Sequence, residues 1–212
     1  MDANDAKSIF RLSNIITNND ILVDVGANKG DYTNFFKEKL NGTGKIYSIE
    51  LHPETYSILK STYKEDHNIV VLNFAVTNVN SSVTYYKGID SFTHNIIGHD
   101  MNFTPNQPLG EIQGIRLDNL LKDENKIKLI KIDVEGAELN VLRGLSEIID
   151  RIENIFVECH LDEDWMVIRD LLLNEYKMSC ENLITGETIQ NDSNRAYHCY
   201  CKKKYNYGKN FF

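Results

Sequence analysis

The sequence predicts an α/β fold: a mostly parallel sheet with helices on both faces and an antiparallel hairpin at its C-terminal edge. Three observations carry this. Short apolar, β-branched runs alternate with helical segments over residues 21–74, the pattern of a parallel sheet. The alternation resumes after residue 126. Two last strand-like runs, 176–183 and 196–203, are separated by the polar turn Thr185-Gly186-Glu187, which leaves room only for antiparallel pairing.

In chain order, a short helix is expected from about Ala3 to Ile16. Ile21-Leu22-Val23-Asp24-Val25 reads as a buried strand ended by Gly26. Tyr32 to Leu40 carries Phe35, Phe36 and Leu40 at helical spacing, and Asn41-Gly42-Thr43-Gly44 stops it. Lys45 to Ile49 is a second strand closed by Glu50, Pro53 fits the first turn of the next helix, and Ile69 to Phe74 is a third strand. Ser82 to Tyr86 alternates like a strand, but residues 88–114 are polar and weakly periodic. So long a connection points to a functional insertion at about 82–114. Ile112 to Leu117 then resumes a strand pattern and Asp118 to Leu121 a short helix. Ile127 to Asp133 is a strand ending on an acid, and Glu135 to Leu145 a helix stopped near Gly144. Ile155 to Glu158 and Glu163 to Asn174 are the next strand and helix. With no composition break or repeat, residues 1–212 are expected to form one domain.

Composition narrows the function classes. The net charge is −8 and no basic stripe stands out, so nucleic acid is not an expected partner, whereas a small neutral or cationic acceptor is. No apolar run approaches the ~20 residues of a membrane span, and the acidic start Met1-Asp2-Ala3-Asn4-Asp5 does not resemble a signal peptide; a cytoplasmic chain without a membrane partner is expected. Cysteines 159, 180, 199 and 201 form no CxxC pair and read as reduced, partly buried thiols. Tyr197, His198 and Tyr200 beside Lys202-Lys203-Lys204 read as an edge strand guarded by lysines. The aromatic tail after it would pack on the body or on a second subunit, in a homodimer.

The strand, Gly-containing turn and helix at residues 21–40 would place backbone N–H groups beside a nucleotide-like ligand. Gly26 permits the tight turn, and Gly30 lets the following helix pack closely. Asp24 can bond a ligand amine or orient the loop, and Glu50 ends the second strand where an acid chelates a ribose diol. A dinucleotide fingerprint needs a glycine where Asn28 stands, because a side chain there crowds a pyrophosphate. An NAD-dependent oxidoreductase is therefore disfavoured. S-adenosylmethionine has no phosphate, and nearby acids tolerate its sulfonium.

The runs Val23-Asp24-Val25-Gly26-Ala27-Asn28-Lys29-Gly30, Ile115-Arg116-Leu117-Asp118-Asn119-Leu120-Leu121, Ile130-Lys131-Ile132-Asp133-Val134-Glu135-Gly136-Ala137-Glu138 and Val157-Glu158-Cys159-His160 occur in this order. Over about Ile21 to Leu161 the chain resembles the FkbM family of methyltransferases. The resemblance implies a class I methyltransferase (Rossmann-like) fold with a seven-stranded sheet, S-adenosylmethionine as cofactor, and methyl transfer to a hydroxyl of a sugar or other small metabolite. It implies a cofactor site made of Asp24, Gly26, Ala27, Asn28, Gly30, Thr33, Glu50, Leu51, Asn73, Phe74, Ala75 and Asp133. Family members often follow the ribose acid directly with proline; here Leu51-His52 intervene. Asp133 is expected near the methyl group and Glu135 or His160 as base, with Glu158, and Ser91 and His94 from the middle insertion, on the small-molecule or glycan acceptor. Glu135 could instead be a first-turn acid favoured by the helix dipole, and His160 a half-buried structural histidine. Nothing in the spacing requires a metal, so none is assigned. A methyltransferase fold reduced to a binding or scaffold module is the other class of reading; acids at three strand ends argue against it.

Overall fold

In a computed structural model, residues 3–88, 93–99, 104–160, 162–182, 188–189 and 197–204 are described. After helix α1 (Ala3–Ser13), strand β1 (Ile21–Val25) lies between β2 (Lys45–Ile49) and β7 (Ile127–Ile132), parallel to both. Because its residues alternate sides, β1 feeds two cores. Leu22 packs with Phe35, Phe36 and Leu40 of α2 (Asp31–Leu40) and Leu59 of α3 (Pro53–Thr62). Val23 and Val25 face the other way, toward Leu139 and Leu142 of α5 (Glu138–Arg143) and Ile168 and Leu172 of α6 (Asp162–Leu173). Pro53 opens α3, as its missing N–H allows. Asn41, at φ 48°, stops α2 in the left-handed conformation its short amide tolerates.

The remaining strands are β3 (Ile69–Leu72), β4 (Ala75–Val76), β5 (Ser82–Tyr86), β6 (Pro108–Ile115), β8 (Ile152–Cys159), β9 (Tyr176–Asn182), β10 (Thr188–Ile189) and β11 (Tyr197–Lys203), with a short helix α4 (Leu117–Leu120) before β7. The main sheet runs β3-β2-β1-β7-β8-β11-β9-β10, seven principal strands and the two-residue β10. β4, β6 and β5 form a separate small sheet, with β5 and β6 the antiparallel arms of the middle insertion. β6 begins four residues earlier than the periodicity suggests, since Pro108, Gly110 and Gly114 interrupt the apolar alternation.

Two expectations change. The lysine-flanked β11 is not an edge strand: it pairs antiparallel with β8 on one side and β9 on the other. Its aromatics are accordingly packed, with Tyr200 stacked on Phe156 at 4.9 Å and under the Arg11 guanidinium at 4.0 Å. The helix expected from Glu135 starts at Glu138. Glu135 and Gly136 have φ of 55° and 102°, outside helical space, and the Gly136 N–H donates to Glu138 Oε1 at 2.9 Å. All four cysteines are free and buried, and Cys199 faces Cys180 across the β11–β9 register. The turn Thr185-Gly186-Glu187 and the tail after Lys204 lie outside the described residues. Among those described, no helix is long and apolar enough to cross a membrane.

One polar tie joins β2 to the segment before β7. Lys45 Nζ donates to Tyr47 Oη (2.6 Å) and Glu124 Oε1 (2.8 Å), and the Tyr47 hydroxyl donates to the same carboxylate at 2.6 Å. Lys45 and then Tyr47 hold the Glu124 carboxyl below its ordinary range, and Lys45 is held above its own. A carboxyl depressed in the folded state stabilises above its unfolded pKa, about 4.3, and loses that contribution as pH falls through the folded value. Lys45 is 41% exposed and screened, so Glu124→Gln should lower neutral-pH stability by about 1 kcal/mol or less. Urea unfolding of both proteins across acid and neutral pH tests this. The gap should close in acid, and a gap independent of pH would contradict it.

Candidate active site

The strand order reverses at β1: its successor β2 lies on one side and β7 on the other. Ligands of open α/β sheets bind above the carboxyl ends at such a point. Here β1 ends in a turn that the sequence shapes closely. Gly26 has φ 74°, and a Cβ on it would lie 1.8 Å from the Asp133 carbonyl oxygen. The N–H groups of Gly26 and Ala27 both donate to Ile49 O at 3.0 Å, tying the turn to β2. Asn28 follows at φ 47°, and its buried Oδ1 has no hydrogen-bond partner. At Gly30, φ 93°, a Cβ would press within 2.8 Å of Leu59 and Tyr63, so this glycine lets α2 approach α3.

Above the turn lies a cleft of about 1150 Å³, open to solvent, whose wall includes Gly26 to Lys29, Glu50, Leu51, His94, Asp133, Glu135 and Glu158. It adjoins a narrow apolar slot between Leu51, Phe74, Ala75, Ile96 and Val134. Gly26, Leu51 and Val134 line both; beside Leu51, on the cleft wall, is Glu50. Its Oε2 accepts the Asn28 N–H at 2.9 Å and its Oε1 the His52 N–H at 2.7 Å. Burial pushes Glu50 above the ordinary carboxylate range, against those two N–H groups. Each oxygen keeps a second acceptor direction for a ligand hydroxyl.

Asp24 and Thr33 lie beneath this surface, fully buried, rather than on the cleft wall. The Thr33 hydroxyl donates to Asp24 Oδ2 at 2.7 Å. Asp24 Oδ1 faces Lys131 Nζ at 3.4 Å without a hydrogen bond. Lys131 is cross-strand to Asp24 in the β1–β7 register and donates to Gly26 O at 2.9 Å, with Asp133 Oδ2 at 3.3 Å. Burial pulls the Lys131 ammonium down, but Asp133 and Asp24 outweigh it and hold the group well above the usual lysine range. One buried cation thus fixes the Gly26 turn and two strand-end acids together.

The far end of the cleft is acidic. Asp133 ends β7, Glu135 is in the turn after it, and Glu158 and His160 close β8. His160 is 8% exposed; its Nδ1 bonds Glu138 Oε1 at 2.8 Å. Its Nε2 faces Glu158 Oε1 at 3.5 Å, Glu135 Oε2 at 3.7 Å and Asp133 Oδ1 at 3.8 Å. Glu158 turns its other oxygen to His198 Nε2 at 2.8 Å, and His198 Nδ1 meets Ser8 Oγ at 3.2 Å. Burial pushes Glu135 up to about 7 and raises Asp133, which Lys131 opposes. Burial also works to raise Glu158, but His160 and His198 hold it well below the usual range. His160 is raised well above its ordinary value, because Glu138 outweighs its burial.

The expected residues therefore separate by place. Gly26, Ala27, Asn28, Glu50, Leu51, Phe74, Ala75 and Asp133 line the cleft or slot, as do Glu135, Glu158 and His94. Asn73 donates to the carbonyls of Glu50 and Leu51, both at 2.9 Å, and so braces that turn. The His94 ring lies 4.3 Å from that of His52, tilted by 46°, which brings the segment after β5 over the Glu50 side. Ser91 lies outside the described residues. Sequence reasoning missed Lys131, Glu138 and His198. Lys131 had a signal: a central strand is buried on both faces, so a lysine within it must be paired.

Comparison with known proteins places this arrangement. Over 165 residues the chain is 24% identical to the hexuronic acid methyltransferase AglP of Haloferax volcanii, covering 76% of this chain and 64% of that protein's length. Its fold is similar to that of the methyltransferase FkbM of Methylobacillus flagellatus (TM-score 0.57, 16% identity, 88% of this chain and 44% of that one). It is also similar to a SAM-dependent O-methyltransferase of Thermotoga maritima (TM-score 0.54, 11% identity, 96% and 66%). The fold is that of the class I methyltransferases. The family described as methyltransferase FkbM domain matches residues 24–179, most of the chain and all of the strand ends described above: the protein belongs to the FkbM methyltransferase family.

Proposed function

We propose that this protein is an O-methyltransferase acting on a hydroxyl of a sugar or similar small metabolite. Family membership makes S-adenosylmethionine its cofactor. The observation that carries the reading is the cleft at the strand ends: the apolar side chains Leu51, Phe74 and Ala75 to flank a base, Glu50 beside them for a ribose diol, and an acidic far end for a cationic sulfur. When bound, the cofactor supplies an activated methyl group. The chain's own residues align the acceptor and take its proton, which are the two needs of transfer to a hydroxyl. Glu135 lies on the cleft wall in a strained left-handed conformation and is assigned the proton; His160, its Nδ1 held by Glu138, is positioned behind it. The resemblance to a hexuronic acid methyltransferase supports a carbohydrate acceptor.

Calorimetry of the full chain with S-adenosylhomocysteine tests the donor side. Binding is expected, and Glu50→Gln should weaken it roughly 10- to 150-fold, the worth of a hydrogen bond to a charged group. Absence of heat from S-adenosylmethionine or its product, or tighter binding of NAD, would overturn the reading. Transfer of a labelled methyl group in a screen of sugars and uronic acids tests the acceptor. Cofactor binding without label on any acceptor would favour a binding module.

A further inference from the structure

Each of Asp133, Glu158 and His160 has one polar atom held from behind and one turned inward. Asp133 gives Oδ2 to Lys131, Glu158 gives Oε2 to His198, and His160 gives Nδ1 to Glu138. The atoms left over are Asp133 Oδ1, Glu158 Oε1 and His160 Nε2, and one ligand atom from each of the three residues lies within 4.8 Å of the other two. His160 is more than nine-tenths buried, yet its Nε2 stands 3.5 and 3.8 Å from those oxygens, beyond the length of a normal N–H···O bond at roughly 2.7–3.2 Å. Ligand atoms roughly 2.0–2.2 Å from a shared cation at tetrahedral angles stand about 3.3–3.6 Å apart, close to the two imidazole–carboxylate spacings of 3.5 and 3.8 Å. Partners that fix the outer atom of each ligand are the usual support of a metal site.

We propose that Asp133, Glu158 and His160 bind a first-row divalent cation between manganese and zinc, at the acidic end of the cleft. One imidazole and two carboxylates suit that part of the series better than calcium or a thiolate-seeking ion. Four carboxylates, Asp133, Glu135, Glu138 and Glu158, converge there against Lys131 and two histidines, and a divalent cation balances them. Three protein ligands leave a coordination position open toward the cleft, where an acceptor oxygen could bind. That last role rests on the methyl-transfer reading above; metal binding does not. His160 is thereby a ligand, which leaves the proton of the acceptor to Glu135.

The test is titration of the chelator-treated full chain with Mn²⁺, followed by electron paramagnetic resonance, and with Zn²⁺ in competition. One bound Mn²⁺ per chain is expected, displaced by Zn²⁺, with pulsed spectra carrying the nitrogen coupling of one imidazole. Asp133→Asn and Glu158→Gln should remove binding, and Glu138→Gln should weaken it roughly 10- to 100-fold as a support behind the ligand. The urea midpoint and far-ultraviolet circular dichroism of each variant report that the fold persists. If a variant does not fold, the nitrogen coupling in the wild-type protein decides alone. No binding of either metal to the wild-type chain, binding without that coupling, or binding unchanged in folded Asp133→Asn, overturns the proposal. Metal binding without any cofactor binding would spare it and overturn the methyltransferase reading instead.

Discussion

Gly26→Ala is expected to lower stability by roughly 3–4 kcal/mol and to abolish cofactor binding. Two effects add. A side chain at φ 74° costs about 1–2 kcal/mol by itself. The new Cβ would also overlap the Asp133 carbonyl oxygen, 1.8 Å away, and backbone cannot yield there cheaply. Moving it means lengthening Asp133 N–H to Val25 O (3.1 Å), Gly26 N–H to Ile49 O (3.0 Å) or Lys131 Nζ to Gly26 O (2.9 Å). Gly42→Ala is the control: φ is 80° but no atom lies within 4 Å of its Cβ, so only the strain should appear. Urea unfolding of both variants, with S-adenosylhomocysteine binding, separates the terms. Equal stability losses for the two would refute the packing argument.

Lys131→Met should destabilise by roughly 3–5 kcal/mol, the effect of removing one partner from a buried ion pair. The methionine keeps much of the volume, so the loss measures charge. Asp24, fully buried, would keep only the hydroxyl of Thr33 for its carboxylate, and Asp133 would lose its nearest cation. Adding Asp24→Asn to Lys131→Met should restore part of the loss, since the uncompensated charge goes while the Thr33 bond stays. A double-mutant cycle by chemical denaturation reads the coupling. Additive losses in the cycle would mean that Lys131 acts through Asp133 or Gly26 and not through Asp24.

Most of the fold was legible in the sequence because its parallel strands are buried on both faces. Runs such as Ile21 to Val25 and Ile127 to Ile132 are therefore nearly continuous in apolar residues. The cleft was legible for a related reason: Gly26, Glu50 and Asp133 each end a strand, and strand ends at a switch point converge. What was hidden is tertiary. The position of β11 was misread because Lys202 and Lys203 look like edge protection, whereas Lys203 Nζ reaches Ile149 O and Glu175. The late start of α5 depends on left-handed backbone at Glu135, which no local rule assigns to a glutamate. Glu138 and His198 acquire roles only by tertiary contact: Glu138 meets His160, 22 residues on, and His198 meets Glu158 across β8 and β11, 40 residues apart.

The insertion of β11 between β8 and β9 has a consequence for biosynthesis. The ribosome delivers β8 and β9 before their common neighbour exists. During that interval the backbone edges of both strands are unsatisfied, and such edges invite pairing with other chains. Completion of the sheet waits for residues 197–203, and so does the His198 support of Glu158. A nascent chain stalled short of that strand can form the Gly26 turn and the Glu50 corner, yet its acidic rim stays unfinished. Chaperone demand during synthesis should fall abruptly once this last strand clears the exit tunnel.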